Sequence, residues 1–223
     1  MKHYSHDINE RLTARHYKSM NFCDVKGKRI LDIGCSYGWF EKYALDNGCK
    51  EIIAFDLNPS AVSFCKRNFK SKRAKFFVAS DSKQFKSNSF DLIVCFEVLE
   101  HIPKHCEISL FNEVNRLLKK DGKFILSTPN KHFITNLFDP AWYFGHRHYS
   151  KNNLTNFSDS SGLKIKSFYI CGGFWELSSM ILLYIFKWVF RSEIPFKDFF
   201  EKKRKMEYKK NDGIATIFMV FKK

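Results

Sequence analysis

The sequence predicts an α/β fold built around a mostly parallel sheet. Three observations carry that reading. Short apolar runs recur along the chain, most of them followed by a stretch of helical periodicity. The first run, residues 30–33, breaks into a glycine turn and restarts as a helix at Trp39. Acidic residues then stand at the ends of later runs, at Asp56 and Asp81. The carboxyl ends of parallel strands share one edge of a sheet, where ligands bind.

The stretch RILDIGCSYGWF, residues 29–40, organises the rest. Gly34 and Gly38 permit positive φ and let a ligand approach the backbone. The helix start behind them offers unpaired N–H groups, and a nucleotide-type cofactor is the expected occupant. The dinucleotide pattern G-x-G-x-x-G is not met: Ser36 stands where a middle glycine would, and the third glycine is missing. Asp32 lies two residues before the loop. An acid so close suits a ligand with a positive group and no pyrophosphate. S-adenosylmethionine, with its sulfonium and α-ammonium, is such a ligand. Taken alone, the loop also reads as an ordinary strand-to-helix turn.

The remaining elements follow in order. Residues 9–20 read as a helix, and residues 39–47 as another stopped by Gly48. Residues 51–57 form a second strand, with Asp56 placed to accept hydrogen bonds from both ribose hydroxyls. A helix over 59–69 has proline in its first turn. Strands follow at 75–81 and from Phe90. Residues 104–120 carry Ile108, Phe111, Val114, Leu117 and Leu118 at helical spacing. A fifth strand spans 122–130. Ser150 caps a helix over 151–159, ended by Gly162. Strands at 163–170 and 213–222 complete the pattern.

Together LDIGCSYG, FDLN, SDSKQF, FDLIVCFEVLEHIP and GKFILSTPN resemble the class I S-adenosylmethionine-dependent methyltransferases. The nearest flavour is the small-molecule branch that includes the ubiquinone-biosynthesis O-methyltransferases. The resemblance covers residues 25–166, and its departure is Ser36. It implies one domain over 1–223, a Rossmann-like three-layer sandwich with a mostly parallel seven-stranded sheet. The C-terminal strand is then antiparallel, beside the fifth. Asp32 and Gly34 would take the cofactor's amino acid end, within a loop that includes Ser36 and Gly38. Asp56 would take its ribose, and Asp81 with Ser82 its adenine. Residues 1–24 would form a lid, with Tyr4, Arg11 and His16 as contact candidates. For Asp81 the bland alternative is a helix-capping acid.

Glu97-x-x-Glu100-His101 follows the fourth strand, where methyl group and acceptor should meet. On one helical turn Glu97 and Glu100 share a face, with His101 adjoining. Two readings stay open. In relatives, such a set holds magnesium, which would neutralise a forming alkoxide. Without metal, His101 is the general base and Glu97 lies between the cofactor and acceptor sites.

Residues 130–150 read as a long irregular stretch, and such loops are commonly functional. His132, His146 and His148, with Arg147, Trp142 and Tyr143, are acceptor-pocket candidates; His146 or His148 could add a metal ligand. Residues 171–212 form an apolar and basic insertion. Within it FWELSSMILLYIFKWVF, residues 174–190, is apolar nearly all round, and EKKRKMEYKK follows. The uncharged core is too short to span a bilayer. A substrate lid packed on the core and a helix on an anionic membrane surface both fit.

The net charge of +15 arises from 38 basic and 23 acidic residues, with lysine spread along the chain. That favours a solvated surface or an anionic membrane over specific nucleic-acid readout. The seven cysteines include no C-x-x-C, which points to reduced thiols. With a polar start, the expected location is the cytoplasm, with peripheral membrane attachment open. The 25 phenylalanines exceed what a core of this size needs and suit an apolar pocket. The reading is methyl transfer to an oxygen of a small or lipid-like acceptor. An RNA 2′-O-methyltransferase and a non-catalytic cofactor-binding scaffold are the rivals. The absence of an RNA-binding module counts against the first, and the retained strand-end acids against the second.

Overall fold

A computed structural model describes residues 12–79, 84–192 and 195–223. Seven strands form one sheet: β1 Arg29–Ile33, β2 Glu51–Asp56, β3 Ala74–Val78, β4 Phe90–Phe96, β5 Leu118–Pro129, β6 Lys164–Cys171 and β7 Thr216–Lys222. Their order is β3-β2-β1-β4-β5-β7-β6. The first five run parallel, and β7 inserts antiparallel between β5 and β6. The central strands are buried on both faces, which explains their continuous apolar runs.

The early helices match their sequence signals. Gly38 begins α2, Trp39–Asp46, and Gly48 follows its end at φ +76°. Asn58 accepts from the N–H groups of Ser60 and Ala61 at the start of α3, Pro59–Asn68. Helix α7, Lys151–Ser161, is capped by Ser150 and stopped by Gly162 at φ +77°.

Three expectations change. Helix α4 is Glu107–Leu117, shorter than 104–120. Its front is held as a turn, with His105 at φ +68°, and Leu118 is drawn into β5 by pairing with Phe90. The stretch 130–150 contains two short helices, α5 Phe133–Phe138 and α6 Pro140–Tyr143. Asp139 caps the second through the Ala141 N–H, with Pro140 in its first turn. In the N-terminal region the described helix, α1, is Ala14–Met20; Tyr4 and Arg11 lie outside the described residues.

The insertion between β6 and β7 folds as α8 Phe174–Ile185, a π-helical turn Phe186–Phe190, and α9 Lys197–Lys209. Helix α8 turns polar side chains inward: Glu176 and Ser179 are buried, while Phe174, Leu183 and Ile185 are exposed. Arg15 Nη2 and Arg204 Nε meet the two Glu176 oxygens at 2.9 and 2.5 Å. Glu207 of α9 accepts the N–H groups of Gly173, Trp175 and Glu176 and so caps α8.

Phe111 of α4 is fully buried and makes edge-on contacts with Phe124 of β5 and Phe221 of β7. It joins the helical layer to the middle of the sheet. Phe111→Ala should cost about 3–5 kcal/mol in urea unfolding. A loss below about 1 kcal/mol would mean that the cavity closes by repacking.

Candidate active site

The strand order reverses between β1 and β4, which opens a crevice at their carboxyl ends. A Cβ on Gly34, whose φ is +85°, would lie 2.2 Å from Val98 Cγ2. Glycine therefore lets the exits of β1 and β4 meet. Gly34 and Cys35 both donate backbone N–H groups to Phe55 O, at 2.9 and 3.1 Å. Ser36 sits at φ +47° and donates its N–H to Asp56 Oδ2 at 2.8 Å. Asp56 Oδ1 accepts from the Asn58 N–H, also at 2.8 Å. The glycine loop thus holds the β2 acid by its backbone, which is why serine is accommodated.

This edge opens into a cleft of about 1440 Å³. Gly34, Ser36, Asp56, Glu97 and His101 line it, and so does His16 of α1. Gly38 lies behind the loop: a Cβ there would come 2.5 Å from the Phe69 ring. Asp32 is a correction. It is buried beneath the loop beside Glu41 and does not line the cleft. Asp81 and Ser82 lie outside the described residues. Sequence reasoning missed Arg15, Trp39, Leu57 and Ser127 as lining residues. Leu57 is 72% exposed, an apolar side chain set beside a carboxylate. Its place after a strand-end acid was the available signal.

The second cluster also changes shape. Residues 97–103 form a turn, with Glu97 at φ +56°, not a helical face. Glu97 pairs with Arg15 through one oxygen and accepts from Ser127 Oγ at 2.7 Å through the other. Glu100 turns inward and accepts from Thr128 Oγ1 at 3.0 Å. Glu97 is thereby removed from the expected metal set. The groups brought together are Glu100, His101 and His146, and beside them Asp139, His146 and His148.

Their contacts are specific. His101 Nε2 and His146 Nε2 are 3.3 Å apart, and His146 Nδ1 lies 3.9 Å from Asp139 Oδ2. His148 bridges Asp139 and Asn136 at 2.9 and 2.7 Å. Burial, then repulsion by Glu97, raises the Glu100 carboxyl well above its ordinary value. Burial, then His146, lowers His101. Burial alone would raise Asp139, but hydrogen bonding with the two histidines holds it well below the carboxylate range. Arg147 does not line the cleft; it clamps the turn through Glu107 at 2.8 Å and the Leu99 carbonyl at 3.0 Å.

The model of a methyltransferase domain matches residues 3–166, most of the chain. The chain belongs to the class I S-adenosylmethionine-dependent methyltransferases. Among its relatives is a ubiquinone biosynthesis O-methyltransferase of Xanthomonas oryzae pv. oryzae. That protein is 33% identical over 112 residues, 48% of this chain and 46% of the relative. An uncharacterised protein of Methanocaldococcus jannaschii is 35% identical over 110 residues, 49% of this chain and 44% of the other. The chain thus spans about half the length of these curated relatives. A solved methyltransferase from Mesorhizobium loti superposes with a TM-score of 0.69 at 16% identity, covering 97% of this chain and all of that one. The [4+2]-cyclase SpnF superposes at 0.67 with 15% identity, over 99% of this chain and 86% of that one, so the fold by itself does not name a reaction.

The methyltransferase cofactor fits the residues present. Each Asp56 oxygen takes one backbone N–H, and a carboxylate oxygen keeps a second lone pair for a ribose hydroxyl. Leu57 offers apolar surface to a base. Below the loop, burial raises the Asp32 carboxyl, moderated by the neighbouring Glu41. Burial and the Asp32 charge raise Glu41 well above its ordinary value. The two carboxyls are coupled, so their proton uptake belongs to the pair, and both Glu41 oxygens are buried without a hydrogen-bond partner among the described residues.

Carboxyls raised in the folded state lose their stabilising contribution as pH climbs from the unfolded value through the folded one. Glu41→Gln removes one of the two titrating groups and offers an amide donor in its place. The variant should lose less thermal stability than the wild type between about pH 5 and about pH 8. Parallel profiles of melting temperature against pH would refute the raised titration of the buried pair.

Proposed function

We propose that this methyltransferase transfers a methyl group to an oxygen of a small or lipid-like acceptor, with His101 as general base. The observation that carries the reading is the meeting of Asp56 and His101 in one cleft, with His101 backed by His146 and Asp139. The Xanthomonas relative, named as an O-methyltransferase, supports oxygen as the acceptor atom.

S-adenosylmethionine supplies an electrophilic methyl on a sulfonium. The protein's work is alignment, exclusion of water and removal of one proton. With His101 Nε2–H donating to His146 Nε2, the other His101 nitrogen is free to take the acceptor's proton. His146 Nδ1–H then faces Asp139, which steadies the charge that develops on the pair. The acceptor oxygen bonds to the methyl carbon as the carbon–sulfur bond breaks, and that electron pair remains on sulfur. Glu97, fixed by Arg15 and Ser127, borders the same space and positions the reacting groups.

A second reading places a divalent cation at Glu100, His101 and His146. It is favoured by Glu100 Oε1, a buried oxygen with no hydrogen-bond partner, 3.9 Å from His146 Nε2. Such an ion would polarise the acceptor oxygen at the same point.

Asp56→Ala should weaken S-adenosylhomocysteine binding at least about tenfold by calorimetry, roughly 1.4 kcal/mol. Retained affinity would remove the ribose role. His101→Ala should leave that affinity intact and lower kcat about 10²–10⁴-fold, read with labelled methyl donor on a lipid extract and on small phenols. Because burial and His146 lower His101, the acid limb of the rate profile should lie below the ordinary histidine value of 6.5. Full activity in His101→Ala would overturn the base assignment. Loss of wild-type turnover under chelation, restored by magnesium, would favour the cation. Methylation of RNA alone would replace the acceptor class.

A further inference from the structure

We infer that the apolar face built by α5, α6, the end of α8 and the π-helical turn docks on an anionic bilayer surface. The inference holds whatever the acceptor, and it rests on the insertion rather than on the cleft.

Three observations lead there. The first is the inversion of α8. Its charged Glu176 faces the protein body with Leu177, locked by Arg15 and Arg204, while Leu183 and Ile185 near its end are exposed. A helix packed as a core lid would show the opposite arrangement. The second is the concentration of exposed apolar surface. Trp188, Val189 and Phe190 are 55, 70 and 59% exposed, and Phe144 of the preceding loop is 77% exposed. The Phe144 and Trp188 rings meet edge-on at 5.9 Å, so the two elements form one patch. Apolar surface of this kind on a folded chain marks an interaction site.

The third observation is charge, and it selects the partner. Lys187 and Arg191, both exposed, flank Trp188, Val189 and Phe190 in the chain, and exposed Lys197 follows at the start of α9. Residues 187–210 carry nine cationic against four acidic side chains. Aromatic residues flanked by lysine and arginine suit the headgroup level of an anionic leaflet. Among the described residues no helix is long and apolar enough to cross a membrane. The contact is therefore with one leaflet, in the plane of the surface. The α5–α6 segment that carries Phe144 also carries Asp139, which partners His148 beside the cleft.

The test uses the full chain with two sets of vesicles, phosphatidylcholine alone and phosphatidylcholine mixed with phosphatidylglycerol. Wild type should sediment with the mixed vesicles, weaken as salt rises, and leave the neutral ones largely unbound. The double variant Val189→Glu with Phe190→Glu should bind at least about tenfold more weakly. Its melting temperature and its S-adenosylhomocysteine affinity should match wild type, which separates this outcome from a misfolded or cofactor-dead protein. Lys187→Glu with Arg191→Glu should abolish the preference for anionic lipid. Equal binding of wild type and the double variant, or no binding of wild type to mixed vesicles, would overturn the inference. So would a lipid-free dimer that the double variant splits, because the patch would then belong to a second copy of the chain.

Discussion

The Glu176 carboxylate is the joint on which the arrangement depends. It is buried, and a buried charge without partners is costly. Arg15 and Arg204 each take one of its oxygens, and their attraction keeps it ionised against burial. Arg15 also holds Glu97 at the end of β4. One ion-pair chain therefore links α9, α8, α1 and the reacting edge of the sheet. Removing one arginine would leave Glu176 with a single partner and one buried oxygen unserved, and removing both would leave an unpaired charge inside the protein. This chain of charges explains why α8 turns its glutamate inward and its apolar residues out.

Around the cleft, burial sets protonation more than pairing does. Burial raises the carboxyls of Asp32 and Glu41 beneath the glycine loop and that of Glu100 behind the turn, against the hydrogen bond that Thr128 donates to Glu100. Asp139 goes the other way because two histidines serve it. Asp56 is placed by backbone N–H groups at the rim. His101, held neutral by burial and by a second histidine, is in the state a base requires.

Much of this was legible in the residues, and the reasons differ by position. The glycine loop declared itself because only Gly34 can pass Val98 at that turn. Asp56 was legible as a strand-end acid. Helix ends were readable at Asn58, Ser150 and Gly162, where capping chemistry is local. Asp32 misled because a sequence shows that an acid precedes the loop but not which face of the strand it occupies. Glu97 misled because its positive φ breaks the helical spacing that would have set it beside Glu100. The Asp139-Pro140 pair is a local signal for the start of α6, but α5 and α6 are too short to show helical periodicity, so the stretch reads as irregular.

The sequence by itself determined the strand–helix alternation, the cofactor edge and the family, because periodicity, turn chemistry and motif spacing are local properties. Only the tertiary structure decided which charges meet. The partners of Arg15 lie at Glu97 and Glu176, those of His101 and His148 at His146 and Asp139, and the cap of α8 at Glu207. The physical reason is that charge pairing and burial act through space. A helix rich in leucine and phenylalanine carries no sign of which side will face water until its single glutamate finds two arginines elsewhere in the chain.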